Sequence, residues 1–204
     1  MRIVAGRHRG RTLEAPAGSS VRPTSDRARE SLFNILEHGK LARGGLSPIR
    51  EARVLDAFCG TGALGLEALS RGAVHATFLD SAAGTLRLAR QNAVKLGETA
   101  SVAFLQGDAT RPPRATEPCT IAFLDPPYLS GLAVPALAAL ARAGWLAPEA
   151  IVVVETALRE DVTPPDGFTA VDERRYGKAK LTFLVYGTAA PFVIARSAAT
   201  KQSS

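Results

Sequence analysis

The chain has 204 residues, of which 46% are hydrophobic and 22% charged. That balance suits one sizeable core with a small appendage, and it excludes wholesale disorder and collagen-like architectures. The formal charge of +6 favours an anionic partner without identifying one.

Residues 1–29 hold seven arginines against Glu14 and Asp26, a net of +5 that accounts for nearly all of the excess. Two short β-prone pieces, Arg2–Ala5 and Arg11–Leu13, are broken by Gly6 and Gly10 and predict a small ribbon or arm. Thr24, Ser25 and Asp26 are good N-caps, and Ala28, Leu32, Phe33 and Leu36 follow at helical spacing, predicting a helix that runs to about His38. Gly44, Gly45 and Pro48 mark the passage into a second region. The expected division is a basic extension over 1–50, a main domain over 51–187 and a disordered tail over 188–204.

From residue 52 strands and helices alternate. Strands are predicted at Val54–Phe58, Ala76–Leu79, Val102–Leu105, Thr120–Leu124 and Ile151–Val154, and helices at Ala63–Arg71, Ala83–Leu96 and Leu132–Ala143. Strands that read as continuous apolar runs, most of them followed by a helix, indicate a parallel sheet buried on both faces. After Pro164-Pro165 the helices stop, and Phe168–Tyr176 with Lys180–Tyr186 predicts a β-hairpin closing one sheet edge. The fold class is α/β, Rossmann-like.

Ligands of open α/β sheets bind at the carboxyl ends of the strands. Four aspartates fall there: Asp56, Asp80, Asp108 and Asp125. Gly60, Gly62 and Gly65 spell G-x-G-x-x-G between a strand and a helix, with Asp80 twenty residues after Gly60. Such glycines turn the backbone tightly under a nucleotide-like ligand, and an acid at that distance suits two ribose hydroxyls. A glycine-rich structural turn and a dinucleotide site are the competing readings. A carboxylate at Asp56 would repel a pyrophosphate but suit an ammonium, and S-adenosylmethionine carries an amino group, a ribose and no phosphate. Asp108, with Ala109 beside it, is placed to accept from an adenine amine, although a turn aspartate reads the same way.

Asp125-Pro126-Pro127-Tyr128 is the most specific motif. Two prolines fix the backbone and remove two N–H donors. The Asp125 carboxylate and the Pro126 carbonyl are then available to accept from a substrate –NH2 group, and Tyr128 offers a face for stacking a planar base. Exocyclic amines are poor nucleophiles, and acceptors placed this way stabilise the positive charge that grows as nitrogen attacks. A rigid turn with a surface tyrosine is the bland alternative.

Asp56-x-Phe-x-Gly-x-Gly, Asp80, Asp108 and Asp-Pro-Pro-Tyr in this order resemble the class I S-adenosylmethionine-dependent amino-methyltransferases. Met1-Arg-Ile-Val-Ala-Gly-Arg, Gly10-Arg-Thr-Leu, Arg22-Pro-Thr-Ser-Asp-Arg-Ala-Arg-Glu30, Leu32-Phe-Asn-Ile-Leu36 and Leu64-Gly-Leu-Glu-Ala-Leu-Ser-Arg-Gly-Ala73 resemble the bacterial RsmD family more particularly. The resemblance covers roughly residues 1–187. It implies a mostly parallel seven-stranded sheet and methylation of the N2 amine of one guanine in 16S ribosomal RNA of the small subunit. It further implies cofactor contacts from Asp56, Phe58, Gly60, Gly62, Asp80 and Asp108, and amine handling by Asp125, Pro126 and Tyr128. An RNA-facing element would contain Arg22-Pro23-Thr24. Ala57, Cys59 and Thr61 stand where the family more often has Leu, Ala and Ser; none of these departures removes a polar contact.

Arg7, Arg9, Arg11, Arg22, Arg27 and Arg29 are the candidate RNA contacts, since arginine pairs bidentately with phosphate and stacks on bases. Exposed arginines also serve solubility alone. Arg174, Arg175, Lys178 and Lys180 either extend that surface or form a solvated face, and His8 is expected to face RNA or solvent. Cys59 and Cys119 sit at opposite strand ends, beyond disulfide reach. No His/Cys cluster has ligand spacing, so no metal is expected. The start of the chain lacks the apolar core of a signal peptide, and no stretch approaches the ~20 apolar residues of a bilayer span. The expectation is a monomeric cytoplasmic protein. Two other functions remain: an amino-methyltransferase acting on DNA adenine or cytosine or on a protein glutamine, and a non-catalytic RNA-binding module of the same fold.

Overall fold

A computed structural model describes residues 1–15, 26–42 and 46–187. Arg22-Pro23-Thr24 and the tail beyond residue 187 lie outside the described residues. Seven strands form one sheet: β1 (Arg53–Ala57), β2 (His75–Asp80), β3 (Val102–Gln106), β4 (Cys119–Leu124), β5 (Leu146–Ala157), β6 (Phe168–Tyr176) and β7 (Ala179–Tyr186). Their order is β3-β2-β1-β4-β5-β7-β6. The first five run parallel, and β7 is antiparallel to both β5 and β6. The C-terminal hairpin closes the sheet edge as its turn at Gly177 implies.

Among the described residues, four α-helices accompany the sheet: α1 (Asp26–His38), α2 (Ala63–Ser70), α3 (Ala83–Leu96) and α4 (Ala133–Arg142). Alternate strand residues feed two cores. Val54, Phe78, Phe123, Val153 and Phe183 face α1, α2 and α3, whereas Leu55, Leu79, Leu124, Val154 and Leu184 face α4 and Trp145. Burying one such phenylalanine or leucine is worth about 1.5–3 kcal/mol, so both faces of the period-2 pattern stabilise the sheet. Trp145 donates its indole N–H to the Pro113 carbonyl at 2.8 Å, which satisfies the polar end of a buried ring.

β5 is the element that departs most from expectation. Its apolar run is short, but pairing begins at Leu146, opposite Cys119. The register then slips between Cys119 and Ile121, and Glu149 takes a left-handed φ of 63°. A bulge of this kind inserts polar residues that break the apolar pattern without ending the strand.

The basic extension is part of the main core. Ile3, Leu13, Leu32, Phe33 and Leu36 are buried in the same cluster as Val54, Leu66 and Phe123. Residues 1–13 form a narrow hairpin, bridged at Arg2 and Thr12 and turning through a 3-10 segment at Gly6–His8. It lies along α2 and α3. Glu67, fully buried on α2, accepts the Val4 and Ala5 N–H groups at 2.7 and 2.9 Å. At the turn, Arg7 pairs with Glu98 at 2.6 Å and His8 bonds the same carboxylate, so His8 faces the protein and not solvent.

Candidate active site at the carboxyl ends of the strands

Strand register brings the predicted loops together. Ala57 lies opposite both Leu79 and Leu124, so Phe58, Asp80 and Asp125 emerge at one level of the same sheet end. Two backbone bonds tie them: the Cys59 N–H donates to Leu79 O at 3.1 Å, and the Asp125 N–H reaches Ala57 O at 3.4 Å. Phe58 has a left-handed φ of 59°, uncommon for a bulky residue and characteristic of functional loops.

Gly65 and Gly60 do different work. A Cβ on Gly65 would meet Phe78 Cε1 at 2.5 Å, so this glycine lets α2 pack closely on β2. Gly60 is not crowded in this way; a Cβ there would find only Phe58 O, at 4.0 Å. Its glycine is explained by a left-handed φ of 55° and by open space beside the backbone. That space is what a small nucleoside ligand needs.

The acids bond the backbone around the glycine loop and the loops after β2 and β3. Asp56 is buried, and one of its oxygens accepts the Gly65 N–H at 2.8 Å. Burial pushes its carboxyl up to about 8; the Gly65 bond opposes the shift and the charge of Asp80 adds to it. Asp80 accepts from Gly60 at 3.2 Å and from Ala82 at 2.9 Å, so it braces the glycine loop from β2. Asp108 accepts the Thr110 hydroxyl and N–H at 2.7 and 2.8 Å, which hold its carboxyl below the usual range. Ala109 beside it is buried. Cys59 and Cys119 are free buried thiols, and burial raises both, Cys119 to about 12.

Asp125-Pro126-Pro127-Tyr128 leaves β4 next to the glycine loop. Tyr128 is 45% exposed, while its hydroxyl donates to Glu155 Oε1 at 2.8 Å. Leu129, at φ 59°, donates its N–H to Glu160 at 2.7 Å.

The predicted arginines divide. Arg29 is fully buried, and its guanidinium is bonded to the Arg2 carbonyl and to Asp26, with Glu67 at 3.6 Å. It has no surface to offer RNA, which corrects the expectation for this residue. Arg11 donates to the Lys95 carbonyl at 2.7 Å, and Arg7 is held by Glu98. Arg9 and Arg27 are exposed, and among the described residues neither has an ion pair. With Arg2, Asp26 and Glu30 they line one groove. Lys180 is also buried, paired to Asp161 at 2.9 Å, and so is not part of a solvated basic face.

Residues 1–185 match the family model described as Conserved hypothetical protein 95. Ribosomal RNA small subunit methyltransferase D of Haemophilus influenzae is 35% identical over 181 residues, covering 87% of this chain and 89% of its own. The Escherichia coli protein of the same name is 36% identical over 186 residues, 87% of this chain and 86% of its own. The chain belongs to this family, the RsmD family. A solved Escherichia coli structure, yhhF, provisionally assigned as a methyltransferase, superposes with a TM-score of 0.76 at 33% identity. It covers 91% of this chain and 97% of its own. The RsmD-family chain thus has a Rossmann-like methyltransferase fold with a C-terminal antiparallel hairpin.

Sequence reasoning passed over Glu67, Asn92, Glu155 and Glu160. Glu155 carries the same signal that picked out Asp125, an acid one residue past a buried run, because Val154 lies opposite Leu124. Asn92, fully buried on α3, donates to the Thr61 carbonyl at 3.0 Å and exchanges two bonds with the Glu14 backbone. It fastens the hairpin to the glycine loop, and a polar residue on a helix gives no hint of partners so distant in sequence.

Proposed function

We propose that the chain transfers a methyl group from S-adenosylmethionine to the exocyclic N2 amine of a guanine in 16S ribosomal RNA, acting as a cytoplasmic monomer on the small subunit. The observation that carries the reading is the Asp-Pro-Pro-Tyr loop, which leaves β4 beside a glycine loop whose Gly60 borders open space. Family membership and the names of the relatives support a ribosomal RNA acceptor.

The donor supplies an electrophilic methyl on a sulfonium. The open, left-handed Gly60 and the acids Asp56, Asp80 and Asp108 fit such a group by their chemistry, with Phe58, Gly62 and Ala109 completing its surroundings. Asp125 and the Pro126 carbonyl accept the two N–H bonds of the amine and stabilise positive charge on nitrogen as it forms. Tyr128 stacks on the base. Holding the reacting atoms at about 3–3.5 Å in line is the remaining contribution, since orientation alone can account for much of such a barrier. Arg9 and Arg27, exposed and without an ion pair among the described residues, are the arginines left to draw the RNA backbone, with Arg22 as a further candidate.

The test is methyl transfer to small subunits from a strain lacking the modification, beside naked ribosomal RNA and DNA. Transfer to the small-subunit RNA, lost in Asp125→Ala while S-adenosylmethionine still binds, is the expected outcome. Transfer to DNA would favour another acceptor, and donor binding with no transfer to any substrate would favour an RNA-binding module.

A further inference from the structure

The end of β5 and the turn that follows it make a short strut that touches the acceptor loop twice. Glu155, 6% exposed, takes the Tyr128 hydroxyl at 2.8 Å. Five residues later, Glu160 accepts the N–H groups of Leu129 and Gly131 at 2.7 and 3.3 Å, one on each carboxylate oxygen. Both of these loop residues have left-handed φ values, 59° and 67°. For Leu129 that conformation is unfavourable and persists only where surrounding bonds impose it.

The strut is itself fastened. Thr156 donates its hydroxyl to Glu160 O at 3.3 Å, Glu160 donates its N–H to Ala157 O at 2.9 Å, and Leu158 donates to Lys178 O at 2.9 Å. The buried Lys180 of β7 holds Asp161, the next residue, at 2.9 Å. The interior strands β5 and β7 are thereby connected through two carboxylates to the loop that carries Asp125 and Tyr128.

Resting on the methyltransferase reading above, we infer that Glu155 and Glu160 are positioning residues for the acceptor loop: Glu155 sets the Tyr128 ring and Glu160 sets the Leu129–Gly131 backbone. Neither needs to touch the amine. A tyrosine free to rotate leaves a stacked base free to tilt, and small misplacements of reacting atoms lower the rate steeply. The geometry separates the two jobs, because the Tyr128 hydroxyl is anchored while part of its ring stays exposed for a base.

The test compares full-length variants on small subunits lacking the modification, with S-adenosylmethionine binding and melting temperature measured alongside. Glu155→Ala is expected to lower kcat about 10-fold or more with donor affinity unchanged. Glu155→Gln, whose amide oxygen still accepts from the hydroxyl, should recover to within about threefold. In a Tyr128→Phe background Glu155→Ala should cost little more, because the shared bond is already gone. Glu160→Ala should lower kcat with the same unchanged donor affinity. Wild-type kcat in Glu155→Ala, additive losses with Tyr128→Phe, or parallel falls in melting temperature and donor affinity would overturn the inference. If the wild-type protein methylates DNA and not the small subunit, the acceptor reading fails, and the same variants assayed on that substrate still decide the positioning role.

Discussion

The strand ends and the N-terminal hairpin are both dense in charge, yet they use it differently. At the strand ends, Asp56, Asp80 and Asp108 accept from the backbone of Gly65, Gly60 and Thr110, and the glycine loop borders open space at Gly60. In the N-terminal extension, of which the hairpin is part, the arginines look outward by composition, but Arg29, Arg7 and Arg11 are bonded to Asp26, Glu98 and the Lys95 carbonyl. One region uses its charge to shape a site; the other uses most of it to dock itself to α2 and α3. Net charge counted along a sequence therefore overstates what remains for a partner.

Glu67→Ala breaks this comparison hardest. It would take one of two carboxylates from each of the buried Arg29 and Arg71, which keep Asp26 and Glu37, and free two hairpin N–H groups. A loss of about 3–5 kcal/mol is expected, read as a drop in melting temperature on the order of 10 °C. Unchanged melting would mean that the hairpin is an ornament.

Asp56→Asn sharpens the other side. Between the ordinary carboxylate value and about 8, native Asp56 holds a proton that the unfolded chain has released. Wild-type stability attributable to this group therefore declines as pH rises through that window and levels off above it. The asparagine variant, which keeps an acceptor for Gly65, should gain on wild type by roughly 2–5 kcal/mol from pH 5 to pH 8.5. Melting curves at these two pH values check the sign. Gly65→Ala should cost about 1–3 kcal/mol, because its Cβ would meet the ring of Phe78; chemical denaturation measures it.

The smallest effect on stability belongs to Arg9→Ala with Arg27→Ala. Melting should stay within about 0.5 kcal/mol of wild type, while the salt slope of RNA binding falls by about 0.7–0.9 for each phosphate no longer neutralised. Arg7→Ala and Arg11→Ala should disturb melting as well, since both are tied to α3 and the turn after it. If all four behaved alike, the division within the N-terminal extension would be wrong.

The sheet was legible because its strands are apolar runs bounded by glycine and aspartate, and α3 needed no adjustment at either end. The acids of the site were legible for the same reason: Asp80 and Asp125 sit where a buried run stops. Glu155 obeyed that rule too, directly after the predicted Ile151–Val154 run, and was passed over; the bulge at Glu149 hid only the start of β5. Arg29 and Glu67 could not be read at all. A buried ion pair depends on long-range partners, and on a helix such residues carry the same local pattern as a solvated face.

The measurement closest to the central claim is the identity of the methylated nucleoside. Small subunits lacking the modification, treated with wild-type protein and S-adenosylmethionine and digested to nucleosides, should yield N2-methylguanosine, and the Asp125→Ala protein should yield none. Methylation of an adenine amine by the wild-type protein, or N2-methylguanosine made equally well without Asp125, would contradict the account.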